Sequence, residues 1–281
     1  MAVIRKILIW LWGAFLLFVI SYYVTRIFVV DSFIVRGSSM NPQYKDGEKV
    51  YVNKLIFGAR LYTDFDFESS KLKSVRMPGL RKIRVGDVVV LNHPFGRTGD
   101  TINFKINYVY LKRCFGCPGD ALWIKDGMYA NSNVVGNIGE LKYQEKLRST
   151  PDSILLERGV AMSAFLINKE LGWNIKNLGP IYIPGKGDCI TININNVNTY
   201  RKLIQYECGT MPEIIDNKVY LGDSLLQRYT FSSNWYFFGG DNVLNSQDSR
   251  YLGLMPEEYI IGVVTGEGTG GIYKFNIYPI M

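Results

Sequence analysis

The chain has 281 residues, of which 47% are hydrophobic and 14% aromatic. That suffices for one large core or two modest ones and leans toward β structure. The net charge is +7, but the cations are scattered, which argues against a nucleic-acid partner and fits attraction to anionic headgroups of a lipid bilayer.

The first element in chain order is an apolar run, Ile7–Thr25, with no charge over nineteen residues. A bilayer core needs about 20 such residues in a helix. Trp10 and Trp12 lie near one end and Tyr22 and Tyr23 near the other, like interfacial belts. No Ala-x-Ala follows, so the run reads as a retained single-pass helix rather than a cleaved leader. Arg5 and Lys6 place its short end in the cytoplasm. Everything beyond about Asp31 then lies outside the cytoplasmic (inner) membrane, on its periplasmic side.

Gly37–Pro42 reads as a turn and Glu48–Asn53 as a strand. Residues 58–82 are polar and rich in cations, the pattern of a mobile loop. Val88–Leu91 and Ile106–Lys112 read as strands, and Leu122–Tyr129 as a hairpin with Asp-Gly at its tip. From 130 to 178 the texture turns polar and weakly periodic, with room for short helices, for example at Ala161–Leu171. Strands are expected at 181–183, 189–194, 218–221 and 229–231, and a helix at 197–207. These features divide the chain into an anchor (1–30), a main unit (31–129 plus 233–281) and an inserted unit (130–232).

The chemistry rests on few candidates. Ser39 sits in the Gly37–Pro42 turn with Met40 as an apolar wall. It needs a base to become nucleophilic. Ser38 is a local rival, and an ordinary loop serine is the plain alternative. The chain's one histidine, His93, reads as a strand-end surface residue without an orienting acid. Lys112 shares a strand face with Ile106, Tyr108 and Tyr110. Burial there would lower its pKa and let the neutral amine act as base; a solvated lysine is the alternative. Gly239–Arg250 packs Asp241, Ser246, Asp248 and Arg250 into one turn-rich stretch, where Arg beside carboxylates suggests a clamped loop. Cys114 and Cys117 form one close pair, but Cys189 and Cys208 do not, so no zinc site is expected and disulfide connectivity is unreadable. No metal or cofactor is called for.

Four stretches in order carry a resemblance: Gly37–Pro42, Gly86–Val90, Tyr110–Arg113 with Gly116–Asp120, and Gly240–Asn242 with Ser246–Arg250. Behind an N-terminal anchor, they resemble the bacterial type I signal peptidases. The inserted segment, with Tyr182–Pro184 and Tyr229–Phe231, looks like the Bacteroidetes type. The resemblance implies a mainly β fold: a signal-peptidase-like β-sheet catalytic domain, an inserted α+β/β second domain and one N-terminal transmembrane helix. It implies a Ser-Lys serine endopeptidase with Ser39 as nucleophile and Lys112 as general base. Ser246 would hold the lysine amine, and Asp241 or Asp248 with Arg250 would fix the loop. The Ser39 N–H would donate to the oxyanion. Phe33, Val35, Met40, Tyr110 and Leu111 would receive small side chains of exported preproteins, whose signal peptides end in A-x-A-like sites. Gln43-Tyr44, Val243 and Gly37 depart from the family pattern. The rival readings are a specialised Ser-Lys maturation peptidase and an inert membrane-anchored binding protein.

Overall fold

The computed structural model describes residues 2–64, 73–94, 101–104, 106, 108–162, 172–269 and 272–275. Helix α1 (Ala2–Phe28) is followed after one residue by strand β1 (Val30–Ile34). At 1.5 Å per residue, α1 is about 40 Å long, more than a bilayer's hydrocarbon core. Its apolar side chains project all round the helix without protein cover, Trp10 and Phe18 at 80% and 70% exposure among them. Such a surface suits lipid rather than water. The helix is long and apolar enough to cross a membrane.

The end of α1 is tied to β1 and to the residue after the second strand. Arg26 donates to Asp31 from Nε and Nη2 at 2.9 and 2.6 Å. Lys54 Nζ donates to the Arg26 carbonyl at 2.6 Å.

After β1 come β2 (Lys49–Asn53), the short pair β3 (Arg60–Tyr62) and β4 (Ser74–Arg76), β5 (Val88–Asn92) and β6 (Val109–Gly116). Next are β7 (Ala121–Lys125), β8 (Met128–Asn131), α2 (Leu141–Ser149), α3 (Asp152–Glu157), β9 (Leu178–Tyr182), β10 (Cys189–Thr191) and α4 (Val197–Cys208). The chain continues through β11 (Glu213–Ile215), β12 (Lys218–Leu221), β13 (Ser224–Leu225), β14 (Arg228–Thr230) and β15 (Trp235–Gly239). It closes with α5 (Ser249–Leu252), β16 (Met255–Pro256), β17 (Ile260–Thr269) and β18 (Ile272–Phe275). The fold is mainly β.

The principal sheet is antiparallel with the order β1-β2-β17-β5-β6-β15-β16, and β18 pairs with β17. Every residue of β5 is buried, so its apolar run packs on both faces. β17 is the spine, pairing β2 along one edge and β5 along the other. Register shifts occur between Ile260 and Gly262 and between Val264 and Gly266. Such irregularities increase local twist and bend a strand. Gly262 is needed there, because a Cβ would stand 2.8 Å from Val52 Cγ1 and 2.9 Å from the Asn53 carbonyl. The sheet coils so far that β1 and β6, four ladders apart, line one cleft.

Separate small sheets, β8-β7-β9, β10-β14 and β11-β12-β13, carry the later part. The largest core cluster joins Phe115, Leu122, Leu203, Ile204, Trp235 and Tyr259, so it runs from β6 through α4 to β15.

The structure departs from the sequence reading in three places. Within 58–82, β3 and β4 form an antiparallel pair instead of a loop. Arg76 explains this: its guanidinium lies 4.4 Å from the Phe57 ring and donates to the Gly58, Glu257 and Ile260 carbonyls. The strand expected at Ile106–Lys112 begins at Val109, and Ile106 packs against the large core instead. His93 is buried, not a surface residue, with its ring 4.2 Å from that of Tyr110. In keeping with the sequence reading, short helices, α2 and α3, occupy the weakly periodic stretch. The helix expected at Ala161–Leu171 lies almost wholly outside the described residues. The four cysteines are free thiols, with Cys114 and Cys117 sulfurs 3.6 Å apart.

Candidate active site

The turn after β1 is pinned from inside. Met40 and Tyr44 are 1% and 2% exposed, packed with Val35, Val50, Val52, Val88, Val90 and Val264. Gly37, at φ +80°, donates its N–H to Asp46 Oδ1 at 2.7 Å and turns the chain out of β1. Asn41 N–H reaches the Ser38 carbonyl and Tyr44 N–H the Met40 carbonyl. These bonds present Ser39 at the cleft.

The segment after β15 holds the same turn from the other side. Asn242 donates its N–H to the Ser39 carbonyl at 3.0 Å and its Nδ2 to the Ser38 carbonyl at 3.2 Å. Asn245 Nδ2 donates to Ser38 Oγ at 2.8 Å. Gly240 makes the approach possible. A Cβ there would lie 2.2 Å from Ser246 Oγ and 2.6 Å from the Ser39 carbonyl.

Lys112 enters from β6. It pairs opposite Val89 and is 5% exposed, with Nζ 2.7 Å from Ser39 Oγ and 5.1 Å from the Tyr110 ring centroid. Burial pushes its pKa down to about 8, against a smaller upward pull from Asp248. Removal from water disfavours the ammonium, so near-neutral pH leaves part of the population as free amine. A hydroxyl in contact with such an amine can pass its proton to it.

The supporting charges divide into two pairs. Arg250 Nε and Nη2 donate to Asp248 Oδ1 and Oδ2 at 2.8 and 2.9 Å, and neither side chain is exposed. Burial pushes the Asp248 carboxyl up, but Arg250 outweighs it and leaves the carboxyl below its ordinary range. Asp248 Oδ2 also accepts the Gly240 N–H, fixing that glycine. Asp241 takes Arg113 instead, at 2.7 and 2.6 Å. Arg113 also donates to the Gly86 carbonyl and to Gln43 Oε1. Gln43 therefore braces the ion pair rather than flooring the cleft, while Tyr44 belongs to the core. Ser246 is half-buried with its hydroxyl oxygen shut in beside Gly240, near enough to Asp248 to help lower its carboxyl, and makes no hydrogen bond to Lys112.

The cleft, about 390 Å³, is lined by Ser39, Lys112, Phe33, Val35, Met40, Tyr110 and Leu111, with Arg36, Tyr108 and Gln247 also on its wall. The structure thus gathers all five expected binding residues around Ser39 and Lys112. Asp241, Ser246, Asp248 and Arg250 stand behind. Sequence reasoning assigns no role to Arg113, Gly240, Asn242 or Asn245. Arg113 is legible only as the neighbour of Lys112, which strand alternation turns to the opposite face. No group of three or more metal-ligating side chains occurs among the described residues.

Comparisons with known proteins identify the family. The family model "Signal peptidase, peptidase S26" matches residues 7–266. Signal peptidase I of Buchnera aphidicola subsp. Baizongia pistaciae is 26% identical over 271 residues, covering 90% of this chain and 74% of that protein. Signal peptidase I of Bacillus amyloliquefaciens is 27% identical over 257 residues, covering 90% and 81%. Signal peptidase I T of Bacillus subtilis is 25% identical over 254 residues, covering 89% and 80%. The chain belongs to the signal peptidase family, peptidase S26, and is a serine endopeptidase that removes signal peptides.

Proposed function

We propose that Ser39 and Lys112 form the catalytic pair and that the substrates are exported preproteins cut after small residues. The observation carrying this reading is the 2.7 Å contact between a cleft-facing serine and a lysine that is 5% exposed. As Ser39 Oγ attacks the scissile carbonyl, its proton passes to neutral Lys112 Nζ. The Ser39 N–H faces the developing oxyanion. The Lys112 ammonium then returns the proton to the leaving amine, and an acyl-Ser39 ester remains. The same amine activates the water that hydrolyses it. We assign Ser246 to hold the ammonium between these steps, reached by rotation of its buried hydroxyl. The pairs Asp248–Arg250 and Asp241–Arg113 keep that loop in place.

Backbone pairing fits the substrate class. Among the described residues, β1 pairs only with β2, and β6 pairs only with β5 before Arg113. Two unpaired strand edges therefore face the cleft. An extended substrate lies between them, with alternate side chains directed at Phe33, Val35, Met40, Tyr110 and Leu111. Apolar walls close together admit small side chains, as in A-x-A-like sites. From Phe28 to Phe33 the chain spans about 17 Å at strand rise, so the cleft works beside the bilayer. We place it on the extracytoplasmic side and take 130–232 as an inserted unit.

The test is substitution. Ser39→Ala and Lys112→Ala should each abolish cleavage of a preprotein in detergent, with the cut site mapped by mass spectrometry. Full activity in either variant rejects the pair.

A further inference from the structure

Among the described residues the cleft wall holds two cations, and the proposed catalytic steps employ only Lys112. The other, Arg36, lies three residues before Ser39 and is exposed. Among the described residues, no hydrogen bond or ion pair engages its guanidinium. No carboxylate stands among the described residues that line the cleft. The nearby Asp46 is taken up by the Gly37 N–H. We infer that Arg36 is a specificity-determining residue, which selects preproteins carrying an acidic side chain two or three residues from the cut. This rests on the Ser39–Lys112 reading and deepens it.

Geometry sets the position. Arg36 lies three residues before Ser39, at most about 10 Å of chain, and Gly37 turns the chain between them, so the span reaches no more than three substrate residues. A substrate strand lying along β1 brings a side chain at that remove beside the guanidinium. Electrostatics excludes closer positions. A carboxylate within about 4–6 Å of Lys112 would favour its ammonium and remove the base. Acid adjacent to the scissile bond therefore slows cleavage, and acid at the Arg36 end helps. Docking displaces water from the cleft mouth, which strengthens the pair beyond that of two exposed charges.

The experiment uses the full chain in neutral detergent. A peptide spanning a mapped cut site carries Asp, Asn or Lys singly at each of four positions on either side. The readout is the Asp-to-Asn ratio of kcat/KM within one enzyme, so that general losses cancel. The ratio should reach about three- to tenfold at one position two or three residues from the cut and shrink with added salt. Next to the cut it should fall below one. Arg36→Gln should bring the favourable ratio to about one, Arg36→Lys should keep part of it, and Arg36→Glu should transfer the preference to Lys. A flat ratio in the unsubstituted enzyme, or an unaltered profile in Arg36→Gln, overturns the inference. So does a loss in Arg36→Gln equal for all peptides and confined to anionic vesicles, which would assign the residue to lipid headgroups. Failure to cleave even the Asn peptides strikes the Ser39–Lys112 reading itself, and this inference with it.

Discussion

Burial of Lys112 carries a cost that its proposed role as base needs. Its folded pKa lies near 8, below the ordinary value of 10.5. The unfolded chain therefore binds more protons between those values, so stability rises as pH climbs through that window and is lowest below it. Lys112→Met keeps the volume and removes the buried charge. We predict no cleavage and a gain of roughly 1–3 kcal/mol in unfolding free energy at pH 7, measured by denaturant titration. Asp248 behaves in the opposite sense. Its lowered carboxyl contributes stability above the unfolded pKa, and that contribution is lost as pH falls through the folded value. Asp248→Asn leaves the Arg250 charge buried without a counterion, at a cost of about 3–5 kcal/mol, and should lower the thermal midpoint accordingly. At this scale, the residue types of the site are legible in the sequence, but their neighbours are not. Alternation gives Lys112 a greasy face made by Ile106, Tyr108 and Tyr110; Tyr110 packs at its amine, Ile106 joins the large core instead, and Met40 and Val90 line the cleft from other elements.

The elements that meet at Ser39 depend on a missing side chain. Gly240 lets β15's exit segment approach the Ser39 turn within bonding distance of Asn242. Gly240→Ala should displace Ser246 and the Ser39 carbonyl by about an ångström, with kcat falling on the order of 100-fold while the far-ultraviolet circular dichroism stays unchanged. Retained kcat would show that the approach has slack. Strands with clear alternation or apolar runs, such as β2, β5 and the β7–β8 hairpin, are readable from pattern alone. The β3–β4 pair is not. Periodicity treats arginines as solvated, whereas Arg60 and Arg76 bury their guanidinium groups against carbonyls and aromatic rings. The start of β6 is hidden for another reason: Ile106 and Tyr108 continue the alternation beyond the end of the ladder.

For the whole molecule, the anchor and the cleft are one device. β1 leaves α1 after a single residue, and Arg26 fastens the two through Asp31. A bilayer spanned by α1 would set the height of the cleft, close to where a preprotein's apolar segment is embedded. Orientation is checked by cysteine labelling. Cys189 and Cys208 are exposed, and a hydrogen bond with Thr230 holds the Cys189 thiol below its ordinary pKa. A membrane-impermeant maleimide added to intact spheroplasts should label them. Labelling only after lysis would invert the topology. The anchor is plain in the sequence, since nineteen uncharged residues need no partner to be recognised. Coiling of the sheet is hidden there, because β1 and β6 meet through β17, a strand that begins 148 residues after Lys112 and beyond the whole later region.

The most direct test is a titration of the Lys112 amine itself. In detergent-solubilised chain carrying labelled lysine, its nuclear resonance is assigned by its loss in Lys112→Met. The expected midpoint lies near 8, matched by the rising limb of kcat/KM with pH. A midpoint with the ordinary lysines near 10.4, together with full activity at neutral pH, would contradict the role of Lys112 as base.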